Sequence, residues 1–501
     1  MLEHLKRLIK GSLIYGVGGF LNQFIHLLLL PLFTSYLTPE DYGILAILTL
    51  LSFFLTQIFT LGIGVSLGIC YFEREGARAR NQVITSAFII LMASSLIMLF
   101  LSNVLIKPIN HLLFSSGSYQ SLIVLTLFST AFSILVVPLI LKLQFEERQK
   151  SFVILTLLST ILAIGAKFIL VILLNRGVEG MVEGALISGA LTLLLFILFC
   201  VREIKLHINL KLSKELIRLG LPMVPSFLAL YVLQQGNVYM LSHSDNTLNI
   251  TGLYSIAFSF GAIMLLVVSA FTTAWFPFYM SFIHKKEEAK ILFGHIMRYY
   301  ILGAGLISLL FYVFAKPLIM IFTQPNFYDA YKAVGLIATA QFLIGVFSIL
   351  LPPVYFAKKL KFVTLIQITS AILFIGASFF LINVLKLGLV GAGTALIFGY
   401  GMIVFLLYLW NQTHKATYLN IQYEWKRIAP FAGMYIFYIV IMLRGKNINP
   451  LTEFTIAIAL FLGLATGAYF LLRCREKEII SNTLKYYWHW QKNKIRNLVK
   501  I

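Results

Sequence analysis

Apolar runs of about twenty residues recur along this chain, and they constrain its fold more than any other feature. The first run covers residues 11–33, a polar TPED turn follows at residues 38–41, and the next run begins at Gly43. Runs of this length cross a bilayer as α-helices, whereas the strands of a membrane barrel alternate over about ten residues. About fourteen such runs are centred near residues 22, 55, 95, 132, 163, 191, 231, 266, 303, 344, 374, 400, 436 and 462. The sequence therefore predicts an all-α polytopic membrane protein with about 14 transmembrane helices.

The chain also contains a tandem duplication. Lys10 is matched by Arg218, 208 positions later, and the GVEG motif at residues 177–180 is matched by GLVG at residues 388–391. Because each copy holds six predicted spans, both copies enter the membrane from the same side, related by an axis along the membrane normal. We expect two parallel-repeat six-helix bundles around a central cavity, at residues 1–205 and 206–415. Two additional transmembrane helices and a basic tail follow at residues 416–501.

The basic residues are distributed unevenly between the two sides of the membrane. The net charge is +21, and an inside position for the N-terminus puts 32 of the 40 Lys and Arg residues on the inward segments. The positive-inside rule then predicts that both termini lie in the cytoplasm. Topology accounts for the positive charge, so the sequence argues against nucleic-acid binding.

The connections between spans do not resemble a catalytic site. The longest outward loops run to some fifteen residues and contain no cluster of acid, base and nucleophile, which disfavours a membrane enzyme such as a polymerase or ligase. The cysteines Cys70, Cys200 and Cys474 form no metal or disulfide pattern, so we expect free thiols, no metal site and no cofactor.

Amide and imidazole side chains concentrate inside two matching spans, the first and the seventh. The first carries Asn22, Gln23 and His26, the seventh carries Gln234, Gln235 and Asn237, and Gln367 lies in the eleventh. Amides that face lipid are costly, so we expect these side chains to face a shared aqueous cavity. The alternative, which stays open for the Ser and Thr residues around them, is that they bond their own helix or join neighbouring helices.

Lys167 is the charged residue that lies well inside a predicted span. Such an ammonium costs about 3 kcal/mol on insertion scales, so it marks a candidate site, here a cation that attracts an anion in the cavity. The alternatives are an ion pair with Glu183 or a side chain that reaches outward to the interface. Arg218 and Arg298 lie near the inner ends of spans seven and nine, where they either anchor the interface or recognise phosphate.

The opening hairpin resembles that of a known family. Tyr15, Gly16 and Phe20, the segment PLFTSYLTPEDYG at residues 31–43 and the WFP motif at residues 275–277 are similar to Wzx-like polysaccharide flippases. These belong to the multidrug/oligosaccharidyl-lipid/polysaccharide exporter superfamily, and no single catalytic motif defines them. The fourteen-span plan extends the likeness over the whole chain.

The resemblance implies a V-shaped pair of bundles around a cationic cavity. By alternating access this pair moves an undecaprenyl-pyrophosphate-linked oligosaccharide from the cytoplasmic to the outer leaflet of the bacterial cytoplasmic (inner) membrane. Lys167 would then hold the pyrophosphate, and the amides would meet sugar hydroxyls. A polysaccharide polymerase and chain-length machinery would be the partners. An ion-coupled drug or small-molecule antiporter of the same fold is the alternative, and it predicts a carboxylate deep in a span. A membrane scaffold that transports nothing fits the paired polar stripes poorly.

Overall fold

The protein is helical throughout the part that the computed structural model describes, which comprises Ile25 and residues 28–114, 119–146, 148–200, 209–244, 247–282, 285–357, 359–413, 419–444 and 450–471. The helices of the first half are α1 Leu30–Thr34, α2 Pro39–Phe59, α3 Ile63–Phe72, α4 Ala77–Val104, α5 Ile106–Leu113, α6 Gln120–Phe145, α7 Gln149–Lys167 and α8 Gly177–Cys200.

The second half continues without a strand among the described residues. Its helices are α9 Leu210–Gly220, α10 Val224–Ser244, α11 Asn249–Gly261, α12 Met264–Met280, α13 Lys286–Phe322, α14 Tyr331–Leu350, α15 Pro352–Phe356, α16 Leu360–Phe379, α17 Gly388–Thr413, α18 Trp425–Arg444 and α19 Pro450–Phe470. The polytopic all-α fold is confirmed.

Within the described residues, ten helical segments are long and apolar enough to cross a bilayer. The pair α11 and α12, which meet at a bend of 44°, makes an eleventh if it is one broken span. These segments correspond to predicted spans two to twelve, and α18 and α19 lie where spans thirteen and fourteen are predicted. Span one falls mostly outside the described residues, so the count of fourteen stays a prediction.

The polar turn after the first span starts α2 in the way its sequence predicts. Thr38 accepts a hydrogen bond from the backbone of Asp41, and the Asp41 carboxylate accepts one from the Thr38 backbone at 2.8 Å. This capping box satisfies two backbone donors that the first turn of a helix leaves without partners. Pro39 takes the first helical position, where its missing N–H costs nothing.

The same backbone turn occurs twice, 211 residues apart. α7 and α16 each run into a π-helical turn, Phe168–Leu173 and Phe380–Val384. Asn175 and Gly177 have φ of 50° and 52°, and Lys386 and Gly388 have φ of 51° and 52°. A gene duplication predicts this agreement between the fifth and eleventh spans. It also makes Lys167 and Ser378 equivalent positions in the two copies.

The two halves touch where α2 crosses α11. A Cβ atom on Gly43 would overlap the carbonyl group of Leu248, and one on Gly252 would overlap the carbonyl group of Pro39. The contact is reciprocal, since residues 209 positions apart exchange roles, and only glycine at both positions allows the backbones to approach so closely. We call the end of the bundles at Gly43 and Leu248 the outer end, and the end at Arg74 and Glu215 the inner end.

Helix α18 attaches to α13 and α14 through buried hydroxyl groups, and α19 attaches through apolar side chains. The Tyr435 hydroxyl of α18 lies 2.7 Å from Ser308 Oγ of α13 and 2.9 Å from Thr339 Oγ1 of α14. Tyr435, Tyr438 and Leu464 join α18 and α19 to the apolar face of α13. Buried polar groups are costly unless bonded, so this network fixes α18 in one position against its neighbours.

Candidate functional site

Lys167 ends α7 on the face that points away from the exposed side of that helix. The exposed side is apolar, with Ile154 and Ile161 61% or more accessible, whereas Thr160, seven residues before Lys167, is buried. Residues seven apart share a helix face, so Thr160 and Lys167 point the same way. The stem of Lys167 packs on Gly184 of α8, where a Cβ atom would lie 2.8 Å from Lys167 Cγ. The stem of Lys167 therefore packs where α7 meets α8, inside the first half.

Glu183, the acidic residue that the sequence offers as a partner, does not neutralise Lys167. Glu183 instead forms an ion pair with Arg176, with 2.5 Å between Oε2 and Nη1. Among the described residues no acidic side chain pairs with Lys167, so the expected alternative of a Lys167–Glu183 ion pair is wrong. A half-buried cation without a carboxylate partner attracts an anion, and Lys is the residue that does so as a mobile point charge.

Hydroxyl groups lie on the helices around Lys167. Ser129 of α6 donates to the Ala185 carbonyl, one residue from Gly184, and Thr130 donates to Ser52 of α2 at 2.7 Å. Thr156 and Thr160 donate to carbonyls of their own helix at 2.8 and 2.9 Å. The first two hydroxyls therefore join helices, whereas the last two bond to their own helix.

The amides of α10 have different surroundings. Gln234 and Gln235 are half-buried, and the side chain of Gln234 lies within hydrogen-bonding reach of the Tyr400 hydroxyl. Tyr231, one turn earlier, donates from its hydroxyl to the Leu50 carbonyl of α2 at 2.6 Å. Gln234 and Gln235 therefore lie close to a contact between the two halves.

Asn237 has no exposed surface, and all of its polar groups are used. Its Nδ2 donates to Tyr254 at 3.1 Å and to the Ala392 carbonyl at 2.7 Å, and its Oδ1 accepts from Ser378 at 2.6 Å. Asn237 thus joins α10, α11, α16 and α17, in contrast to the expectation that it lines a cavity. Ser378 occupies the position in the second copy that Lys167 occupies in the first. The two copies therefore differ here, because Ser378 donates a hydrogen bond to the buried Asn237 amide, whereas Lys167 carries an ammonium group.

Two further predicted site residues are also held inside the second half. Gln367 is 5% exposed and accepts a hydrogen bond from Ser226 at 2.6 Å. Arg298 is fully buried, pairs with Glu424 and stacks over Tyr299 with 4.8 Å to the ring centroid. Both environments are those of residues that hold helices together, because a buried charge needs a partner.

Arg218 is exposed on α9, at the inner end. Its side chain is free to reach either the interface or an anion, as both of its predicted roles require. Asn22, Gln23 and His26 lie outside the described residues, so their roles stay predictions. No group of His, Cys, Asp and Glu side chains in the described part of the chain has the arrangement of a metal site.

Sequence reasoning missed the residues that join the two halves. Arg74 pairs with Glu215 at 2.7 Å, and Gly62 meets Gly220 backbone to backbone. Burial opposes the charge of Arg74, but the hydrogen bond with Glu215 raises the pKa of the guanidinium above its ordinary value. The matched glycines Gly43 and Gly252 were a sequence signal for such contacts, because small residues recur where helices cross closely.

The comparisons with known proteins concern both sequence and fold. A family model described as "Polysaccharide biosynthesis protein" matches residues 8–284, more than half of the chain. A lipid II flippase MurJ in an inward closed conformation superposes with a TM-score of 0.67 at 15% identity, covering 92% of this chain and 98% of that one. An inward-facing multidrug resistance MATE family transporter of the MOP superfamily gives 0.63 at 16% identity, covering 81% and 94%. At these identities the likeness is one of fold. A search of curated protein sequences finds no significant match.

Proposed function

The chain belongs to the polysaccharide biosynthesis protein family, and from that premise we propose that it is a flippase for an undecaprenyl-pyrophosphate-linked oligosaccharide. It carries this substrate across the bacterial cytoplasmic membrane by alternating access and supplies cell-surface polysaccharide synthesis. Both termini lie in the cytoplasm, and bundles 1–205 and 206–415 move relative to each other, with residues 416–501 attached to the second.

The observation that carries the proposal is the placement of Lys167. Its stem packs on Gly184 of α8, on the side of α7 that points away from the exposed apolar face, and no carboxylate among the described residues pairs with it. A cation at this depth costs free energy unless function requires it. The pyrophosphate of a lipid-linked sugar is an anion that this cation would hold while the substrate crosses.

The chemistry of the substrate fits a polar passage between two bundles. Sugar hydroxyls and pyrophosphate cannot enter hydrocarbon without losing their hydrogen bonds with water, whereas an apolar polyprenyl tail dissolves in it. Gln234 and Gln235, half-buried beside the contact between the halves, are the described amides best placed to meet sugar hydroxyls. Asn22, Gln23 and His26 join them in the proposal on the sequence argument, and Arg218 meets phosphate at the inner end.

Three residues are better explained by packing within the second half. Asn237, Gln367 and Arg298 are buried and bonded to protein groups, so they would have to break those bonds to reach a substrate. We therefore assign them a structural role.

The MATE neighbours support the alternative of an ion-coupled antiporter only at the level of fold. An antiporter of that type predicts a carboxylate available at depth. Glu183, the acid that comes nearest to a span interior, is instead held by Arg176. This observation favours the flippase.

The test is complementation in a bacterial strain that lacks its own flippase. Surface glycan should be restored and the lipid-linked precursor should not accumulate. Lys167→Ala should lower surface glycan at least tenfold at normal protein levels, whereas Lys359→Ala, a change of an exposed lysine, should leave export unchanged. Restoration of drug resistance without surface glycan would favour the antiporter. Equal export by both variants would remove Lys167 from the mechanism.

A further inference from the structure

α9 belongs to the second copy in sequence but packs on the first half in space. Leu212 and Leu216 lie on one face of α9, 4% and 0% exposed, and that face rests on α3 and α4. The opposite face carries exposed Lys211, Lys214 and Arg218. The apolar face is thus committed to the first half, because separation would expose both leucines.

An ion pair adds a second link between α9 and the first half. Glu215 lies 2.7 Å from Arg74, which follows α3, and Arg74 also donates to the Cys70 carbonyl at 3.0 Å. Arg74 is therefore positioned by its own helix before it meets Glu215. A pre-positioned partner loses less side-chain freedom when the pair forms, which makes the link firmer than that of two mobile side chains.

A backbone contact completes the attachment. A Cβ atom on Gly220 would lie 2.5 Å from the Leu61 carbonyl oxygen, and one on Gly62 would overlap the carbonyl of Gly220. Gly62 has a φ of 66°, a conformation that suits glycine, at the junction of α2 and α3. Three contacts of different kinds thus hold α9, from Leu212 to Gly220, against the first half.

The α-helix is interrupted directly after the last of these contacts. Leu221–Met223 forms a 3₁₀ turn between α9 and α10, and Pro222 has no backbone N–H to donate to the helical ladder. A short 3₁₀ stretch inside a helical segment often marks a hinge. Bending here disturbs few hydrogen bonds, whereas detaching α9 exposes two buried leucines and breaks an ion pair.

We propose that α9 moves with the first half during transport and that Leu221–Met223 is the hinge about which α10 and the second half swing. This inference rests on the proposed function, because it assumes that the halves move. The mechanical boundary between them then lies at residues 221–223, some fifteen residues beyond the boundary that the duplication predicts at residue 206.

Cross-linking tests this assignment. In a variant with Cys70→Ala, Cys200→Ala and Cys474→Ala, the pair Arg74→Cys with Glu215→Cys is bridged by a bis-methanethiosulfonate reagent. Export should stay within twofold of the unbridged protein, since both ends move together. A matched bridge at the outer end, Tyr42→Cys with Phe327→Cys, replaces rings whose centroids are 5.3 Å apart and should lower export at least tenfold. Reductant should restore it, which shows that the variant folds.

Loss of export on bridging residues 74 and 215 would overturn the hinge. If neither the unbridged variants nor the parent protein exports glycan, the proposed function fails instead. Spin-label distances then decide the hinge separately. A single narrow distance between α9 and α3, together with two distances across the outer end, supports it, and two distances between α9 and α3 overturn it.

Discussion

The crossing of α2 and α11 gives a prediction whose size follows from the structure. A Cβ atom on Gly252 would lie 2.7 Å from the Pro39 carbonyl carbon and closer still to its oxygen, and one on Gly43 would lie 2.9 Å from Leu248 Cβ. Ordinary contact begins at 3.4 Å, so Gly252→Ala must move the helices apart by more than the 0.7 Å between 2.7 and 3.4 Å. Neither obstacle in Pro39 can rotate away, because both are backbone atoms.

Forced separation of well-packed helices costs about 1–3 kcal/mol. We expect Gly43→Ala and Gly252→Ala each to lower the free energy of unfolding by about 2 kcal/mol, a factor of roughly 30 in the folded population. Both methyl groups push the same crossing apart, so the double variant should lose less than the sum of the two single losses.

Denaturation of the purified protein by sodium dodecyl sulfate in mixed micelles measures these free energies. Gly64→Ala is the matched control, because a Cβ atom at Gly64 of α3 meets no atom within 4 Å. Losses no larger than that of Gly64→Ala would refute the close crossing. A double variant with a fully additive loss would refute the reciprocity of the two contacts.

The buried groups give further predictions. Arg298→Met leaves the Glu424 carboxylate without its buried partner and should destabilise the protein by about 3 kcal/mol. Arg218→Met, on the exposed face of α9, should change the same denaturation curve little. Equal shifts for the two variants would contradict the structural role of Arg298. Asn237→Ala should lower the midpoint of thermal unfolding in detergent, because each lost hydrogen bond costs about 1 kcal/mol of stability. Gln235→Ala should lower export at normal stability. The reverse pattern would contradict the roles assigned to the two residues. Tyr435→Phe should loosen α18 and speed its proteolysis while the core of the first half stays protected, and uniform proteolysis of both halves would argue against a local attachment.

The spans and the duplication could be read from the sequence because both depend on local or periodic signals. The run of apolar residues from Gly177 onward and its copy from Gly388 each begin with the same turn, and the matching glycines give the register. The capping box of Thr38 and Asp41 is equally local, since its partners are three residues apart.

The fate of each polar side chain could not be read in this way. Gln235 and Asn237 are two residues apart on α10, but their surroundings differ. Asn237 accepts a hydrogen bond from Ser378, which is 141 residues away in the sequence, whereas Gln235 is half-buried. Arg298 likewise forms an ion pair with Glu424, which is distant in the sequence, and Glu183 forms one with Arg176 rather than with Lys167. Hydropathy places all of these residues in or near spans, whereas their partners depend on how distant helices rotate against each other.

Transfer of substrate in proteoliposomes tests the central claim most directly. Purified protein is reconstituted with an undecaprenyl-pyrophosphate-linked oligosaccharide in both leaflets, and a glycosidase that cannot cross the membrane is added outside. We predict that the protein makes nearly all of the glycan accessible, and that Lys167→Ala leaves about the half in the inner leaflet protected, as in protein-free vesicles. Protection of that half in the presence of the unaltered protein, or its release by Lys167→Ala at the full rate, would contradict the account.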